Sequence, residues 1–323
     1  MPTTRKPRSG SMQFWPRKRA KRQYARVRSW ASSKDAKALG FAGYKVGMTH
    51  AIIADNRKNS KTKGQGISCP LTIIECPPLK VISARFYKNS DYGLKVASEV
   101  FSQSSDKELE RKITLPKSIE KKFEDMADFD DVTIMVYTQP KLTGIGKKKP
   151  EIFEIAIGGK KEDKAAFAKE KLGKEISLKD VFNAGQQVDI HAVTKGKGFQ
   201  GPVKRFGVSI RSHKSEKTKR GPGTLGGWKA QAHFMYRVAH AGQMGYHLRT
   251  EYNKWIVRIG EKPEEINANG GFHEYGVVKN AYLLVKGSVA GAKKRLVRIN
   301  TSTRPNRGIP AEAPSVQYIN STG

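Results

Sequence analysis

The stretch "GKGFQG", Gly196 to Gly201, carries residue types and a spacing that could do chemistry. It matches the G-x-G-x-x-G pattern of dinucleotide-binding proteins. That pattern works only when a helix begins at the third glycine and an acid follows about 20 residues later. The residues after Gly201 have no amphipathic period that would make such a helix. We therefore favour another use, in which the flexible backbone and its neighbouring cations come close to phosphates.

Four of the seven histidines, His213, His233, His240 and His247, also fall in one glycine-rich window. They form no H-x-x-x-H pattern and no Cys/His cluster. The window that holds them, Lys204 to Arg258, has twelve Lys or Arg against two acids, which favours a nucleic-acid partner. We therefore interpret them as groups that stack on RNA or donate hydrogen bonds to it. No G-x-S-x-G elbow, Walker A loop or pair of catalytic carboxylates is present. The sequence therefore predicts no enzyme, no metal site and no cofactor, with Mg²⁺ present only as ions associated with RNA.

The charge of the chain points to a polyanionic partner. The 323 residues contain 61 Lys and Arg against 29 Asp and Glu, a formal net charge of +32. A compact fold tolerates such self-repulsion poorly unless a polyanion neutralises it, and nucleic acid is the obvious candidate. No window approaches the roughly 18 apolar residues of a membrane span, and no signal peptide is visible, so we expect a soluble cytoplasmic protein. Cys69 and Cys76 lie in an apolar run and are expected to be buried small hydrophobes.

The N-terminus, residues 1–39, is predicted to be a basic extension. Its first 34 residues contain eleven Lys or Arg and no acid, and prolines interrupt them. Such a segment buries too little apolar surface to offset its chain entropy, so it is either a disordered tail or an arm that orders on its partner. Aromatic residues between the cations favour the arm, because they can stack on unpaired bases. Its candidate RNA-binding residues are Arg5, Lys6, Arg8, Phe14, Trp15, Arg17, Lys18, Arg19, Lys21 and Arg22.

The texture changes at about residue 40 to short, β-branched apolar runs bounded by Gly, Pro or Asp. These strand-sized runs span residues 40–55, 71–88, 131–139, 152–159, 188–196, 255–261, 281–289 and 295–300. They predict a mainly β, barrel-like body in two parts, 40–203 and 255–300, followed by an extended tail, 301–323. Helical signals cluster at 104–131 and 160–180, where acids and lysines nearly balance. We expect these α+β insertions to face solvent.

A second basic segment, residues 204–254, is predicted to be an internal extension of the body. From Lys204 to Arg258 the chain has twelve Lys or Arg against Glu216 and Glu251, with little periodicity. A structureless loop of this length inside a compact domain needs something else to order it. The candidate RNA-binding residues in and just before it are Lys195, Lys197, Lys204, Arg205, Arg211, His213, Lys219, Arg220, Trp228, Lys229, His233, Arg237, His240, His247 and Arg249.

Trp228 stands at the centre of this segment, in "RGPGTLGGWK". Tryptophan usually buries surface in a core, and its glycine-rich neighbours cannot supply one. Either the indole folds back on the β body or RNA provides its core, and we favour RNA.

Five separated motifs, in order, resemble the universal large-subunit ribosomal protein three family in its archaeal form, over nearly the whole chain. They are "GSMQFWPRKRAKR", "GYKVGMTH", "TKGKGFQGPVKRFGV", "GGWKAQAHFMYRVAHAGQMGYHLRT" and "GGFHEYGVVKNAYLLVKGSVAGAKKRLV". The resemblance implies a β-barrel body of the translation-factor type with long extensions. It also implies a structural protein that binds large-subunit rRNA near its 3′ end and acts early in subunit assembly.

The family's central extension approaches the peptidyl transferase centre. By resemblance its tip maps onto Gly226, Gly227 and Trp228, followed by His233 and Met235. The resemblance further implies ribosomal protein fourteen and an L24e-type protein as neighbours, and neither a membrane nor a second copy of the chain as partner. Two other functions stay open from the residues alone. The glycine pattern would suit an RNA-modifying enzyme on a β-barrel scaffold, and the charge would suit a free RNA chaperone.

Overall fold

The computed structural model describes residues 7–103, 106–116, 123–126, 128–227 and 233–321. Within them the chain is mainly β, as predicted, with fourteen strands and two α-helices. The strands are β1 (Gly40–Ala54), β2 (Gly66–Glu75), β3 (Leu79–Ser90), β4 (Gly93–Phe101), β5 (Asp131–Thr138), β6 (Ile152–Ala156), β7 (Glu175–Ile176), β8 (Gln187–Val193), β9 (Phe199–Gln200), β10 (Gly242–Gln243), β11 (Leu248–Gly260), β12 (Tyr282–Lys286), β13 (Leu296–Thr301) and β14 (Val316–Ile319). The helices are α1 (Lys161–Lys171) and α2 (Pro202–Phe206), and short 3₁₀ turns occur at Met12–Phe14, Leu109–Arg111, Phe123–Asp125, Pro140–Leu142 and Pro263–Glu265.

The chain divides into two compact units, and each is built from two segments. Met1–Arg22 and Val193–Arg249 form what we call the extension unit. Gln23–Ala192 and Thr250–Gly323 form what we call the sheet unit.

Two sheets make up the sheet unit. The larger has the strand order β13-β8-β11-β12-β2-β1-β14, and β13 also pairs with β1. The pairings of β13, β8, β11, β12, β2 and β1 therefore return to their starting point. The smaller sheet has the order β4-β3-β5-β6, with β7 paired to β3. The chain passes from the larger sheet to the smaller one at Pro77 and Pro78, which lie between β2 and β3. Proline has no N–H to donate, so strand pairing stops there.

Burial on both faces explains why the strands read as apolar runs. Residues 40–44 of β1 are all buried, and Tyr44 and Tyr282 are among the largest side chains with no exposure. One continuous core joins side chains from both sheets. Cys69 and Cys76 are buried in it, as the sequence predicted, and burial raises the pKa of both thiols. The two cysteines pack as small hydrophobes.

A buried carboxylate holds the segment before β12 against β2. Glu75 has no exposed surface and accepts hydrogen bonds from the backbone N–H groups of Lys279 and Asn280, at 2.9 and 3.0 Å. The Asn280 amide donates a third bond at 2.8 Å, and the Tyr275 hydroxyl donates a fourth. Burial and this carboxylate together raise the pKa of Tyr275. Four donors thus replace the water that Glu75 loses on folding.

A buried cation holds part of the segment assigned to the N-terminal extension. The guanidinium of Arg298 lies 5.6 Å from the ring centroid of Trp30 and 4.4 Å from that of Phe153. It donates to the backbone oxygens of Ala25, at 3.4 Å, and Glu154, at 2.6 Å. Burial lowers the pKa of Arg298 to about 9, so it stays protonated at neutral pH. Residues 25–30 are therefore attached to the sheet unit through Arg298.

The predicted helical insertions are only partly helical. α1 lies where the sequence places it, and after it the Asp180 carboxylate accepts from the Ser177 N–H at 2.9 Å. In 104–131, by contrast, the described residues make 3₁₀ turns and no α-helix. Leu109 is fully buried in a cluster with Ile82 and Tyr137, and Ile113 and Leu115 pack against that cluster, so scattered apolar contacts take the place of an amphipathic helical face.

His191 makes the stability of the sheet unit depend on pH. It lies on β8 with Nδ1 2.9 Å from the Thr250 hydroxyl, and burial together with the nearby Arg298 lowers its pKa from 6.5 to about 4, against the opposing effect of Asp189. The unfolded chain therefore takes up a proton before the folded chain does. We expect the free energy of unfolding to fall by up to about 3 kcal/mol as pH drops from about 6.5 to about 4.

Denaturant unfolding across this pH range tests that expectation. A His191→Gln variant should lose the dependence, whereas His50→Gln, at an exposed position on β1, should keep it. A slope that survives in His191→Gln would contradict the assignment.

Candidate nucleic-acid interface

The glycine stretch Gly196 to Gly201 lies in the extension unit. Two residues of it form β9, which pairs antiparallel with β10. α2 begins directly after Gly201 but has only five residues and ends at Gly207, whose φ of 70° is left-handed. A dinucleotide site needs a parallel strand and a long helix whose N-terminus meets the pyrophosphate. The geometry here is different. We therefore still favour the interpretation that these glycines let the backbone come close to phosphates.

The two basic segments meet around Phe206, the last residue of α2. The Cζ atoms of Arg17 and Arg205 lie 4.2 and 5.0 Å from its ring centroid. The Trp15 ring lies 6.0 Å from Phe206 and 5.6 Å from Tyr236, centroid to centroid. We call these five residues the Phe206 cluster. Its cation–aromatic and aromatic pairs stabilise contacts between residues that are nearly 200 positions apart.

Hydrogen bonds tie the same side chains to the backbone of the opposite segment. Arg17 Nη1 donates to the Arg205 oxygen at 2.8 Å, and Arg205 Nη2 donates to the Arg17 oxygen at 3.4 Å. Arg205 also donates to the backbone oxygens of His240 and Gln243, at 3.0 and 2.9 Å. The guanidinium groups of Arg17 and Arg205, and the Trp15 indole, are thus engaged with protein. In this structure they join the arm to the internal segment.

A second set of contacts continues this attachment along the arm. The Ala20 N–H donates to the Tyr246 oxygen at 2.8 Å, and Arg8 Nη2 donates to the Arg237 oxygen at 2.6 Å. His247 is buried, with Nδ1 2.9 Å from the Lys18 oxygen, and burial lowers its pKa. The buried imidazole of His247 therefore contacts the backbone of the arm at Lys18. This contact differs from the base-stacking role that the sequence suggested.

Other predicted cations point into solvent. Exposed residues of the predicted set are Arg8, Lys18, Arg19, Lys21, Arg22, Lys195, Lys197, Lys204, Arg211, Lys219, Arg220 and Arg237. In the described part of the chain, eleven of their ammonium and guanidinium groups make no salt bridge with an acid: those of Arg8, Lys18, Arg19, Lys21, Lys195, Lys197, Lys204, Arg211, Lys219, Arg220 and Arg237. The positive charge of this surface is therefore not compensated within the unit.

The remaining predicted residues fall into three groups. Phe14 is exposed, with Arg249 Cζ 5.0 Å from its ring centroid. His213 and His233 are exposed, and His240 is half-buried with its ring 5.8 Å from that of Phe234. Arg5, Lys6, Trp228 and Lys229 lie outside the residues that the structure describes.

Just before Trp228, the described tip is open backbone. Gly226 has a φ of 86°, and a Cβ placed on it or on Gly227 would meet no atom within 4 Å. The Gly226 N–H donates to the Thr224 hydroxyl at 3.2 Å. Only glycine adopts this left-handed conformation without strain.

Sequence reasoning missed Phe206 and Tyr236, which organise the cluster. The signal was weak, since Phe206 is one aromatic residue beside two cations in "VKRFG" and Tyr236 is one of two aromatic residues in "FMYRV". Across the described residues, no group of three or more His, Cys, Asp or Glu side chains could hold a metal ion. None of the helices described is long and apolar enough to span a bilayer.

Comparison with known proteins decides the family. The family model for ribosomal protein L3 matches residues 1–322. The chain belongs to the ribosomal protein L3 family. This is a family of structural ribosomal proteins, so the predictions of family and of a non-enzymatic role are confirmed.

Several relatives within the L3 family are archaeal, as the sequence motifs indicated. The large ribosomal subunit protein uL3 of Methanobrevibacter smithii is 47% identical, over 97% of this chain and 96% of the relative. The proteins of the same name from Archaeoglobus fulgidus and Methanocaldococcus jannaschii are 46% and 45% identical, over 98% of this chain and 97% of each relative.

Proposed function

We propose that the chain is a structural constituent of the large ribosomal subunit in the cytoplasm. It binds large-subunit rRNA near the 3′ end, helps to nucleate subunit assembly and buttresses the peptidyl transferase centre. The observation that carries this proposal is the uncompensated positive surface of the extension unit, in a chain of the ribosomal protein L3 family.

The sheet unit supplies a rigid base for this role. Its closed cycle of six strand pairings supports a β-barrel of the translation-factor type. A closed sheet leaves few free strand edges and deforms little. The basic arm and the basic internal extension, residues 1–39 and 204–254, are the RNA-binding parts.

Counterion release drives the binding. Each Lys or Arg that meets a phosphate frees condensed cations from the RNA, and closely packed rRNA helices need fixed cations at their junctions. Lys195, Lys197 and Lys204 flank glycines that allow a close approach of the backbone. Arginines such as Arg211 and Arg220 add bidentate contacts to phosphate and can lie flat on bases.

No resident cofactor is needed for this function, and Mg²⁺ takes part as an ion bound to the rRNA. The protein neighbours that we propose are ribosomal protein fourteen and an L24e-type protein. We propose no membrane contact and no homo-oligomer.

The salt dependence of RNA binding tests the function. Binding to a transcript of the 3′ domain of the rRNA should weaken steeply with salt, by about 1,000-fold between 50 and 200 mM if six or more phosphates are contacted. A filter-binding titration at several salt concentrations measures the slope. An affinity that does not change with salt would refute the proposal.

Trp228 is proposed to reach the RNA of the peptidyl transferase centre. A Trp228→Ala variant should be incorporated normally into large ribosomal subunits, because it leaves the cations of the extension unit and the whole sheet unit unchanged. The loss of one indole that stacks on a base costs about 1–3 kcal/mol locally. We therefore expect altered chemical probing of that RNA and altered resistance to drugs that bind there.

Leu225→Ala, three residues away in the same segment, is the matched control for that variant. Unchanged probing and unchanged drug response in Trp228→Ala, with normal incorporation, would remove Trp228 from this role.

A further inference from the structure

A second basic feature lies in the sheet unit, at the turn between β1 and β2. We call residues 55–65 the β1–β2 turn. Its sequence, "DNRKNSKTKGQ", has four cations and one acid, Asp55. It has no histidine, no aromatic residue and no glycine run, so its sequence alone does not distinguish it from an ordinary solvated turn.

Asp55 organises this turn from inside. Its side chain is buried and accepts from Arg57 three times, from the backbone N–H at 3.1 Å, from Nε at 2.9 Å and from Nη2 at 2.8 Å. The Thr62 hydroxyl donates to the same carboxylate at 2.7 Å. The Arg57 guanidinium beside it holds the pKa of Asp55 well below its usual range. The carboxylate therefore stays charged, and it neutralises Arg57.

Backbone bonds close the turn at its base. The Gly64 N–H donates to the Asp55 oxygen at 2.8 Å, and the Asp55 N–H donates to the Gln65 oxygen at 3.0 Å. The hydroxyls of Ser60 and Thr62 lie 2.9 Å apart. With both hydroxyls and the one carboxylate bonded inside the turn, its shape is set before any ligand arrives.

Three lysines remain on the outside. Lys58, Lys61 and Lys63 are exposed and form no ion pair with any acid in the residues described by the structure. The neighbouring tail contributes a backbone oxygen of Glu312, which accepts from Asn56 at 3.0 Å. The turn thus presents a net charge of +3. Gly64, near its C-terminal end, has open space around it.

We propose that the β1–β2 turn binds phosphates of the large-subunit rRNA as a site separate from the extension unit. This inference rests on the proposed function. The chemistry of the turn favours RNA over an acidic protein. Residues 56–65 have no apolar side chain, and protein interfaces depend on buried apolar or aromatic anchors. Phosphates need only well-placed charge, which lysine supplies as a compact point charge.

The first experiment removes the three charges. We expect Lys58→Gln, Lys61→Gln and Lys63→Gln together to reduce the slope of log affinity against log salt by about 2 to 3, since each phosphate contact contributes about 0.7–0.9. The matched control is a triple variant that changes Lys88, Lys141 and Lys179 to Gln. It removes the same charge, but each of these lysines is paired with an acid: Asp128, Glu108 and Glu261 respectively. Equal slopes for the two triple variants would overturn the inference.

The second experiment locates the contact in the full chain bound to rRNA. Fe(II)–EDTA attached at Asn59→Cys should cleave nearby RNA, and buried Cys69 and Cys76 should stay unlabelled. Lys179→Cys serves as the control site. Cuts in the rRNA from position 59 that are absent from position 179 support the inference. If position 59 produces no cuts and the triple lysine variant instead loses a protein neighbour, the turn is a protein site and the inference is wrong.

The third experiment tests whether the internal bonds preorganise the turn. Asp55→Asn and Thr62→Val keep all three lysines but loosen the turn, so we expect affinity to fall several-fold in both. The salt slope should stay unchanged in Thr62→Val and should not fall in Asp55→Asn, which releases the charge of Arg57. Thr62→Val keeps the Asp55–Arg57 pair and covers the case in which Asp55→Asn fails to fold. Full affinity in both folded variants would show that the shape of the turn does not matter.

The outcomes separate this inference from the proposed function. A flat salt dependence in the unmodified protein would refute RNA binding as a whole. A steep dependence that the triple lysine variant shares with its control would refute the β1–β2 turn alone.

Discussion

Deletion of residues 2–22 is expected to weaken rRNA binding by about 100-fold at moderate salt. The deletion removes eight cations, and about half of them need to meet phosphate to produce this loss, since each contact adds about 0.7–0.9 to the salt slope. It also removes Trp15 and Arg17 from the Phe206 cluster. The internal segment then loses the groups that cover Phe206, which is only 6% exposed. Filter binding to the 3′-domain transcript, at several salt concentrations, measures both effects.

A point variant separates charge from positioning. Trp15→Ala keeps every cation of the arm but removes the ring that packs on Phe206 and Tyr236. We expect it to lower affinity with little change in the salt slope, because the same cations bind from a less ordered arm. If the deletion leaves affinity unchanged, the arm takes no part in binding. If Trp15→Ala binds like the unmodified protein, charge alone matters.

Glu75→Ala is expected to lower the free energy of unfolding of the sheet unit by about 3 kcal/mol or more. It leaves the N–H groups of Lys279 and Asn280, the Asn280 amide and the Tyr275 hydroxyl buried without their acceptor. Each buried donor without a partner costs about 1–3 kcal/mol, partly recovered where water enters the cavity. Denaturant unfolding of the full chain measures the change.

Glu75→Gln tests the cause of that loss. Its amide oxygen can accept from the three nitrogen donors, and its NH₂ group can donate to the Tyr275 oxygen, so we expect a loss of about 1 kcal/mol. Glu162→Ala, at an exposed position in α1, should change stability by less than about 0.5 kcal/mol. Equal losses for Glu75→Ala and Glu75→Gln would show that charge, and not hydrogen bonding, stabilises this site.

The strands that sequence reasoning located are those with buried faces. β1, β5 and β13 are visible because their apolar residues come in runs of strand length between turn residues. β4 was missed because most of Gly93–Phe101 is exposed and carries no apolar run. Its place follows from pairing with β3, whose partner residues lie up to 18 positions away. The register of that pairing depends on the hydrogen bonds between β3 and β4, and a short window of sequence does not contain both strands.

The candidate site divides in the same way. The sequence by itself determined the net charge and the segments in which the cations concentrate. It therefore predicted RNA binding, because electrostatic attraction to RNA depends on how many cations a segment carries. Only the tertiary structure decided which cations are available. Arg17 and Arg205 meet across Phe206 and are engaged there, whereas Lys58, Lys61 and Lys63 are free because Asp55 is buried with Arg57. For Arg17 and Arg205 this depends on long-range packing, because residues 188 positions apart must come together before their charges are covered. For the β1–β2 turn it depends on the burial of Asp55, which the sequence of the turn does not show.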